Sequence, residues 1–530
     1  MEYQLVIGQL LNTGLAKAPA QRITYADQVE MSYAEFGQRV GRLGSALSRL
    51  GLGLGSVVAV MDYDSHRYLE CFFAIPMLGA TLHTVNVRLS PEQILYTINH
   101  AEDDAILVHA DFLPLLLPLL PRITRPVQLI VLADSATALP AGFAGEYEAL
   151  LASGDAGFAF PDLPETTRAT MFYTTGTTGD PKGVTYTHRQ LVLHTLGVIA
   201  CFAPIPGRGG VKADDVYMPL SPLFHVHGWG FPLEATMLGM RQVYPGRYEP
   251  AKLLALIAKH GVTISHCVPT VLGMILNAPG SDQVDLSRWK VIVGGSALPE
   301  GLARAAMARG IDIHAGYGMS ETCPILTVAD MAATQGAMED TTAIRIATGK
   351  PAPLVQLRIV DPDMRDVVHD GVATGEVVAR APWLTQGYLR NSEGTEALWR
   401  GGWLHTGDVG TMAPDGTLRI TDRLKDVIKS GGEWISSLEI ESLVSAVPGV
   451  VETAVVGIPD PKWGERPVVL VVAKTDVEAA VQAAVQAAIA AGRLSKWAAP
   501  ERVLTVAAIP KTSVGKIDKK AIRSSLAAAG

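Results

Sequence analysis

The chain has 530 residues, more than one ordinary hydrophobic core organises, so two or more packed units are expected. With 48% hydrophobic and 18% charged residues it has the balance of a folded globular protein rather than a disordered one. A formal net charge of −8, with no run of five Lys or Arg, argues against nucleic acid as a partner.

The N-terminus carries Glu2 and no basic stretch ahead of its apolar residues, so it does not read as a signal peptide. Residues 33–50 have the spacing of an amphipathic helix, 57–61 read as a buried strand, and 91–100 and 105–109 repeat that pair. The most apolar run, 112–120, is interrupted by Pro114 and Pro118 and followed by Pro121 and Arg122. A membrane-spanning helix needs roughly 20 apolar residues, so a buried turn or short core helix is expected there. Further strands are predicted at 129–132, 169–173 and 290–293. Such alternation predicts an α/β fold: a large N-terminal domain of helix-covered β-sheets. The pattern changes at a short charged stretch near residues 420–426. The expected division is therefore 1–421, a linker at 422–427, and a small α+β C-terminal domain at 428–530. In that tail Val477, Val481, Val485 and Ile489 recur every four residues. Asp476 is the expected N-cap and Gly492 the expected stop of that helix. The cysteines, Cys71, Cys201, Cys267 and Cys323, lie far apart with no C-x-x-C pair. This fits reduced thiols in a cytoplasmic protein better than a disulfide frame or zinc site.

Several short stretches carry chemistry. The string Tyr173-Thr174-Thr175-Gly176-Thr177-Thr178-Gly179-Asp180-Pro181-Lys182-Gly183 follows a predicted strand. Its glycines let backbone approach a ligand closely, its hydroxyls and amides suit phosphate oxygens, and Lys182 adds charge. It is not a Walker A loop, which ends Gly-Lys-Ser/Thr; a polar surface turn has the same composition. Leu223-Phe224-His225-Val226-His227-Gly228-Trp229-Gly230 sets a histidine and a large aromatic on flexible backbone, although such residues are more often structural. Gly294-Gly295-Ser296-Ala297-Leu298-Pro299 ends a strand with glycines that admit a flat ring. In Gly316-Tyr317-Gly318-Met319-Ser320-Glu321-Thr322, Tyr317 offers a stacking face and Glu321 a hard oxygen ligand for Mg²⁺, or a helix-cap carboxylate. Asp408 in Trp403-Leu404-His405-Thr406-Gly407-Asp408 could be only a turn former. Lys429-Ser430-Gly431-Gly432-Glu433-Trp434-Ile435-Ser436 reads alone as a Gly-rich turn. Lys516, Lys519 and Lys520, after Pro510-Lys511-Thr512-Ser513-Val514-Gly515, read alone as a basic tail.

Together and in this order, these motifs resemble the adenylate-forming superfamily of acyl-CoA synthetases, luciferases and peptide-synthetase adenylation domains, over about residues 30 to 520. The string at 429–436 looks most like medium- and long-chain fatty acyl-CoA synthetases. The resemblance implies phosphate binding by Thr174, Thr175, Gly176, Thr177, Thr178, Gly179 and Lys182. It implies an adenine platform at Gly295, Ser296 and Ala297, with Gly316, Tyr317, Gly318, Met319, Ser320, Val226 and Ile420 also on the nucleotide side. Asp408 and Arg423 correspond to ribose contacts; Asp422 stands where the family often has glycine, a variation read as harmless. Glu321 and Thr174 would lie at Mg²⁺. His225, Trp229 and Gly318 would border the acid, with Trp229 gating an acyl tunnel. Lys425 falls at the hinge of a mobile C-terminal domain. Lys429, Gly431, Gly432 and Trp434 would touch nucleotide or pantetheine, and Lys516 is the expected catalytic lysine.

The implied activity is acyl-CoA synthesis: ATP and a carboxylic acid give acyl-AMP and pyrophosphate, and coenzyme A then takes the acyl group. The implied catalytic set is Lys516, Glu321, Lys182 and His225. Medium- or long-chain fatty acids are favoured; short, branched, sulfur-containing, alicyclic or aromatic acids fit the same motifs. An amino acid is disfavoured because residues 226–233 contain no carboxylate to pair with an ammonium. The alternative of another class is an inactive nucleotide-binding regulator. No transmembrane segment is expected, which leaves peripheral membrane contact open, and related enzymes suggest a homodimer.

Overall fold

The computed structural model describes residues 3–135, 137–174, 180–203, 205, 210–330, 332–335, 340–430, 433–473 and 475–529. Its architecture is the α/β one expected. Among the described residues, three sheets build the main body and a fourth lies in the C-terminal part.

The first sheet has seven strands in the order Gly145–Glu146, Gln128–Leu132, Ala105–His109, Val57–Met61, Thr81–Thr84, Arg168–Thr174 and Lys182–Thr187. All its pairings are parallel except the last, which is antiparallel. Helices cover it, so Val57–Met61 and Ala105–His109 are buried along their whole length. The second sheet has nine strands and is parallel through Lys290–Val293, Ile264–Cys267 and Val216–Tyr217. It turns antiparallel where Asp312–Gly318 meets Ile325–Val328. A four-stranded antiparallel sheet, Gln356–Val360, Gly375–Arg380, Leu404–Met412 and Leu418–Arg423, closes the body.

Local chemistry sets where helices begin. Ser32 with Glu35, Ser90 with Gln93 and Thr187 with Gln190 each form a reciprocal capping box at the start of Tyr33–Arg49, Pro91–Ala101 and His188–Phe202. The 112–120 run forms short turns, as one of its two expected readings has it, but most of it is not buried. Its prolines break it into the short turns Ala110–Phe112, Leu113–Leu116 and Leu117–Arg122, of which only Leu116 and Leu119 are buried. No helix among the described residues is long and apolar enough to cross a membrane.

Beyond Arg423 the chain turns, with the Asp426 and Val427 N–H groups donating to the Arg423 carbonyl at 2.8 and 2.9 Å. It then enters the C-terminal five-stranded sheet. One face packs Ile440, Val444, Val481 and Val485; the other packs Ile522. The tail helix spans Glu478–Ala490, with Val477, not Asp476, at the cap position. The Asp476 carboxylate still accepts the Glu478 N–H at 3.2 Å. Ala488 rather than Ile489 completes the buried face, and Gly492 ends the helix at φ +70° as expected. Asp422 is more than a tolerated variation. It is buried and accepts hydrogen bonds from the Ser437 N–H and hydroxyl at 2.7 and 2.6 Å, which ties the last body strand to the next helix.

Candidate active site

The strands Arg168–Thr174 and Lys182–Thr187 pair antiparallel, with Thr174 directly opposite Lys182 at the edge of the seven-stranded sheet. Thr175, Gly176, Thr177, Thr178 and Gly179 lie outside the described residues. The Lys182 ammonium sits 4.7 Å from the Tyr388 ring centroid. The same tyrosine's hydroxyl donates to Glu321 Oε1 at 2.7 Å. Tyr388 therefore joins a cation to a carboxylate, a role for which its surrounding sequence carries no motif. Glu321 is buried, and loss of hydration pushes its carboxyl above the usual range, while Tyr388, Arg423 and Lys182 pull it back.

Tyr317 donates its hydroxyl to Asp408 Oδ2 at 2.8 Å, and Arg423 Nε lies 3.3 Å from Asp408 Oδ1. Asp408 is buried and Arg423 half-exposed, so the carboxylate is fixed from two sides with the guanidinium facing outward. Ile420, two residues before Asp422 on the same strand, donates its N–H to Thr348 at 2.9 Å. Gly318 has no room for a side chain: a Cβ there would fall 1.6 Å from the Pro324 carbonyl oxygen. The Ser320 carbonyl, one residue before Glu321, accepts the Tyr186 hydroxyl at 2.6 Å, and the Met319 N–H donates to Thr322 Oγ1 at 2.9 Å. Gly316 sits inside the strand, under Ile292.

Gly295 adopts φ +80°, and a Cβ there would fall 3.0 Å from Cε of Lys516. The lysine thus lies across the glycine, with Ser296 and Ala297 exposed beside it. Desolvation and the neighbouring Arg423 outweigh Asp408 and Glu321 and lower the Lys516 ammonium to about 8. Lys425 is exposed next to this group, and its pKa is also lowered, by desolvation and then by Arg423. Three cations, Lys516, Arg423 and Lys425, therefore share one field with Asp408 and Glu321, a charge pattern suited to a polyanion.

His225, Val226 and Trp229 lie on an unusual segment. Val226, His227, Gly228, Trp229 and Gly230 all have positive φ, from 47° to 81°. A left-handed turn costs L-residues about 1–2 kcal/mol each, so packing must hold it. The Trp229 ring lies against Gly294, where a Cβ would come within 3.2 Å of it, and 5.1 Å from the His266 ring. Burial and then Lys516 push the His225 imidazole down to about 3, so it is neutral at physiological pH. Beneath the turn, His194 Nδ1 lies 3.5 Å from Glu234 Oε1, both buried. Glu234 stands one residue beyond the stretch read for an ammonium-binding carboxylate. Burial raises its pKa well above the usual carboxylate range.

Lys429 is exposed on Ile428–Ser430 and faces Trp434 in the register of the C-terminal hairpin, while Gly431 and Gly432 lie outside the described residues. Sequence reading also passed over Asn86, Arg88 and Thr270, which contact the loop before Lys516. They fall in ordinary loop and helix-start positions and share no motif.

A profile of the family described as AMP-binding enzyme matches residues 12–389, and one of the AMP-binding enzyme C-terminal domain matches residues 439–516. A long-chain-fatty-acid–CoA ligase of Thermus thermophilus is 39% identical over 96% of this chain and 92% of its own length. A 3-methylmercaptopropionyl-CoA ligase of Ruegeria pomeroyi is 38% identical over 93% of this chain and 91% of its own. Among solved structures, the anthranilate CoA ligase AuaEII bound to anthranoyl-AMP superposes with TM-score 0.88 over 100% of this chain and 99% of its own, at 24% identity.

Proposed function

The chain belongs to the AMP-binding enzyme family, and from that premise we propose that it is an AMP-forming acid–thiol ligase that makes acyl-CoA from a medium- or long-chain fatty acid. The observation that carries the reading is the convergence of Lys516 from the C-terminal part with Asp408, Glu321 and Arg423 of the main body.

A carboxylate is a poor acyl donor because its leaving group would be oxide. In the first step its oxygen bonds to the α-phosphorus of ATP while the bond from that phosphorus to the bridging oxygen breaks and pyrophosphate leaves. Positioning and charge neutralisation dominate such a displacement. Thr174 and Lys182 would hold the phosphates with the rest of their loop, and Asp408 and Arg423 the ribose. Gly295, Ser296, Ala297, Gly316 and Tyr317 would flank the adenine. Lys516 would neutralise charge between the acid and the α-phosphate as a fixed cation. Glu321, a buried hard-oxygen donor beside Lys182, fits Mg²⁺, which needs few protein ligands when phosphates complete its shell; Thr174 is the second candidate. That ion would supply further charge neutralisation on the phosphates.

In the second step the thiolate sulfur of coenzyme A bonds to the acyl carbon, the bond from that carbon to the phosphate oxygen breaks, AMP leaves and the thiol proton passes to solvent. No side chain is acylated, so the reaction needs no Ser-His-Asp arrangement. By the family pattern, the C-terminal domain pivots near Lys425 between the steps, and residues 429–434 meet the thiol. Trp229 and neutral His225 present an apolar, uncharged border to the acid, which suits an alkyl chain.

The test is acid-dependent ATP–pyrophosphate exchange without thiol, across straight-chain acids from acetate to palmitate with thioether, branched and aromatic acids. Exchange peaking at medium or long chains is expected. A peak at a short thioether or aromatic acid would replace the fatty-acid assignment, and exchange with none would overturn the ligase reading.

A further inference from the structure

The loop bearing Lys516 is docked onto the main body by contacts from distant parts of the chain. Asn86 Nδ2 donates to Ser513 Oγ at 3.0 Å, and Arg88 Nη1 donates to the Ser513 carbonyl at 3.4 Å. Thr270 Oγ1 donates to the Gly515 carbonyl at 2.9 Å. Between them Val514 is buried in the apolar cluster that includes Phe224, Trp229 and Val268. Within the loop, the Lys516 N–H donates to Thr512 Oγ1 at 3.2 Å and the Thr512 N–H to the Lys516 carbonyl at 2.7 Å. The loop is thus a preformed turn, and what Asn86, Arg88 and Thr270 fix is its placement.

Two further observations give the docking a direction. The Arg88 guanidinium packs over the Phe224 ring at 5.7 Å and the Tyr248 ring at 6.0 Å, so it joins the lysine loop to the segment that carries His225. At a second contact, the Gly301 N–H donates to Ser445 Oγ at 3.3 Å, and a Cβ on Gly301 would fall 2.1 Å from the Ser445 carbonyl oxygen. Gly301 lies in the first turn of Glu300–Ala308 with ordinary helical backbone, so a side chain there suits its own helix and obstructs only the approach of Ser437–Ser445.

We propose that Asn86, Arg88 and Thr270 are positioning residues that seat Lys516 for acyl-adenylate formation, and that Gly301 keeps the docking face clear, so that all four serve the first half-reaction and not the second. The inference rests on the reading of Lys516 given above. A hydrogen bond lost from the seat weakens it without touching substrate, so single changes lower adenylation by roughly 3- to 10-fold. A wedge that prevents docking has a larger effect.

The experiment measures the two half-reactions separately in the full-length enzyme: acid-dependent ATP–pyrophosphate exchange, and thioester formation from supplied acyl-adenylate and CoA. Thr270→Val and Asn86→Ala are expected to slow exchange roughly 3- to 10-fold. Thr270→Ser, which keeps the hydroxyl, retains the wild-type rate, and Gly301→Val slows exchange more than either. All keep thioester formation within about twofold, because a seat used in one step costs nothing in the other. Equal loss of both half-reactions, or unchanged exchange in Thr270→Val and Gly301→Val, overturns the seat. Absence of exchange in the wild-type enzyme instead overturns the underlying ligase reading.

Discussion

An ammonium among other cations and away from bulk water gives up its proton more readily than a free lysine, and Lys516, beside Arg423 and Lys425, is lowered to about 8. Its proposed work requires the protonated form, which predominates below that pH and is lost as pH rises through it. The kcat/KM for adenylation, which reports free enzyme, should therefore fall above about pH 8. Bound triphosphate favours the cation, so the break in kcat should lie higher; a flat profile to pH 10 would remove Lys516 from the step. Lys516→Ala should lower exchange by at least about 100-fold while sparing thioester formation from supplied adenylate. Tyr388 gives a separate residue-level test. Tyr388→Phe keeps the ring facing Lys182 but removes the hydrogen bond to Glu321. It should cost roughly 10-fold in kcat/KM for ATP with little change in thermal stability. Lys516, Glu321 and Asp408, which the fold brings into one field, could be singled out from the sequence because each sits in a motif of fixed spacing. Tyr388, Asn86, Arg88 and Thr270 were not, because they act through chain segments far from those motifs.

Strands and helices with strong periodicity follow the sequence closely. Val57–Met61, Ala105–His109 and Lys290–Val293 occur with the predicted bounds, because buried parallel strands need unbroken apolar runs. Where several local signals compete, the outcome differs: Asp476 bonds the first helical turn from one residue outside the cap. The left-handed run Val226–Gly230 was not foreseeable, since Val, His and Trp individually disfavour that conformation. It sets Trp229 against Gly294, where a Cβ would also fall 2.9 Å from the Gly316 carbonyl oxygen, so the cleaner test is Trp229→Ala, which should shift the acid chain-length optimum of pyrophosphate exchange. Gly318→Ala belongs to another class. Its Cβ would meet the Pro324 carbonyl oxygen at 1.6 Å, a backbone clash that no rotamer relieves. A loss of about 4 kcal/mol or more, seen as a large drop in melting temperature together with loss of activity, is expected.

At the scale of the whole molecule, the sequence foretold a large body and a smaller tail because the hydrophobic pattern changes near residue 420. It could not show how they meet, since Asn86 and Ser513 or Gly301 and Ser445 find each other only through the complete topology. The sheet ends bring the Thr174–Lys182 hairpin, Glu321 and Asp408 to one side of the body, and the C-terminal part adds Lys516. In the proposed function that arrangement directs a carboxylate oxygen onto the α-phosphorus, and the acid-derived oxygen leaves on AMP. The direct measurement is a single-turnover reaction of the enzyme with ATP, CoA and a fatty acid labelled with ¹⁸O in its carboxylate, followed by mass spectrometry of the products. One ¹⁸O in AMP, one in the acyl-CoA and none in pyrophosphate is the predicted result. Unlabelled AMP, or label in inorganic phosphate accompanied by ADP, would contradict acyl-adenylate chemistry at this site.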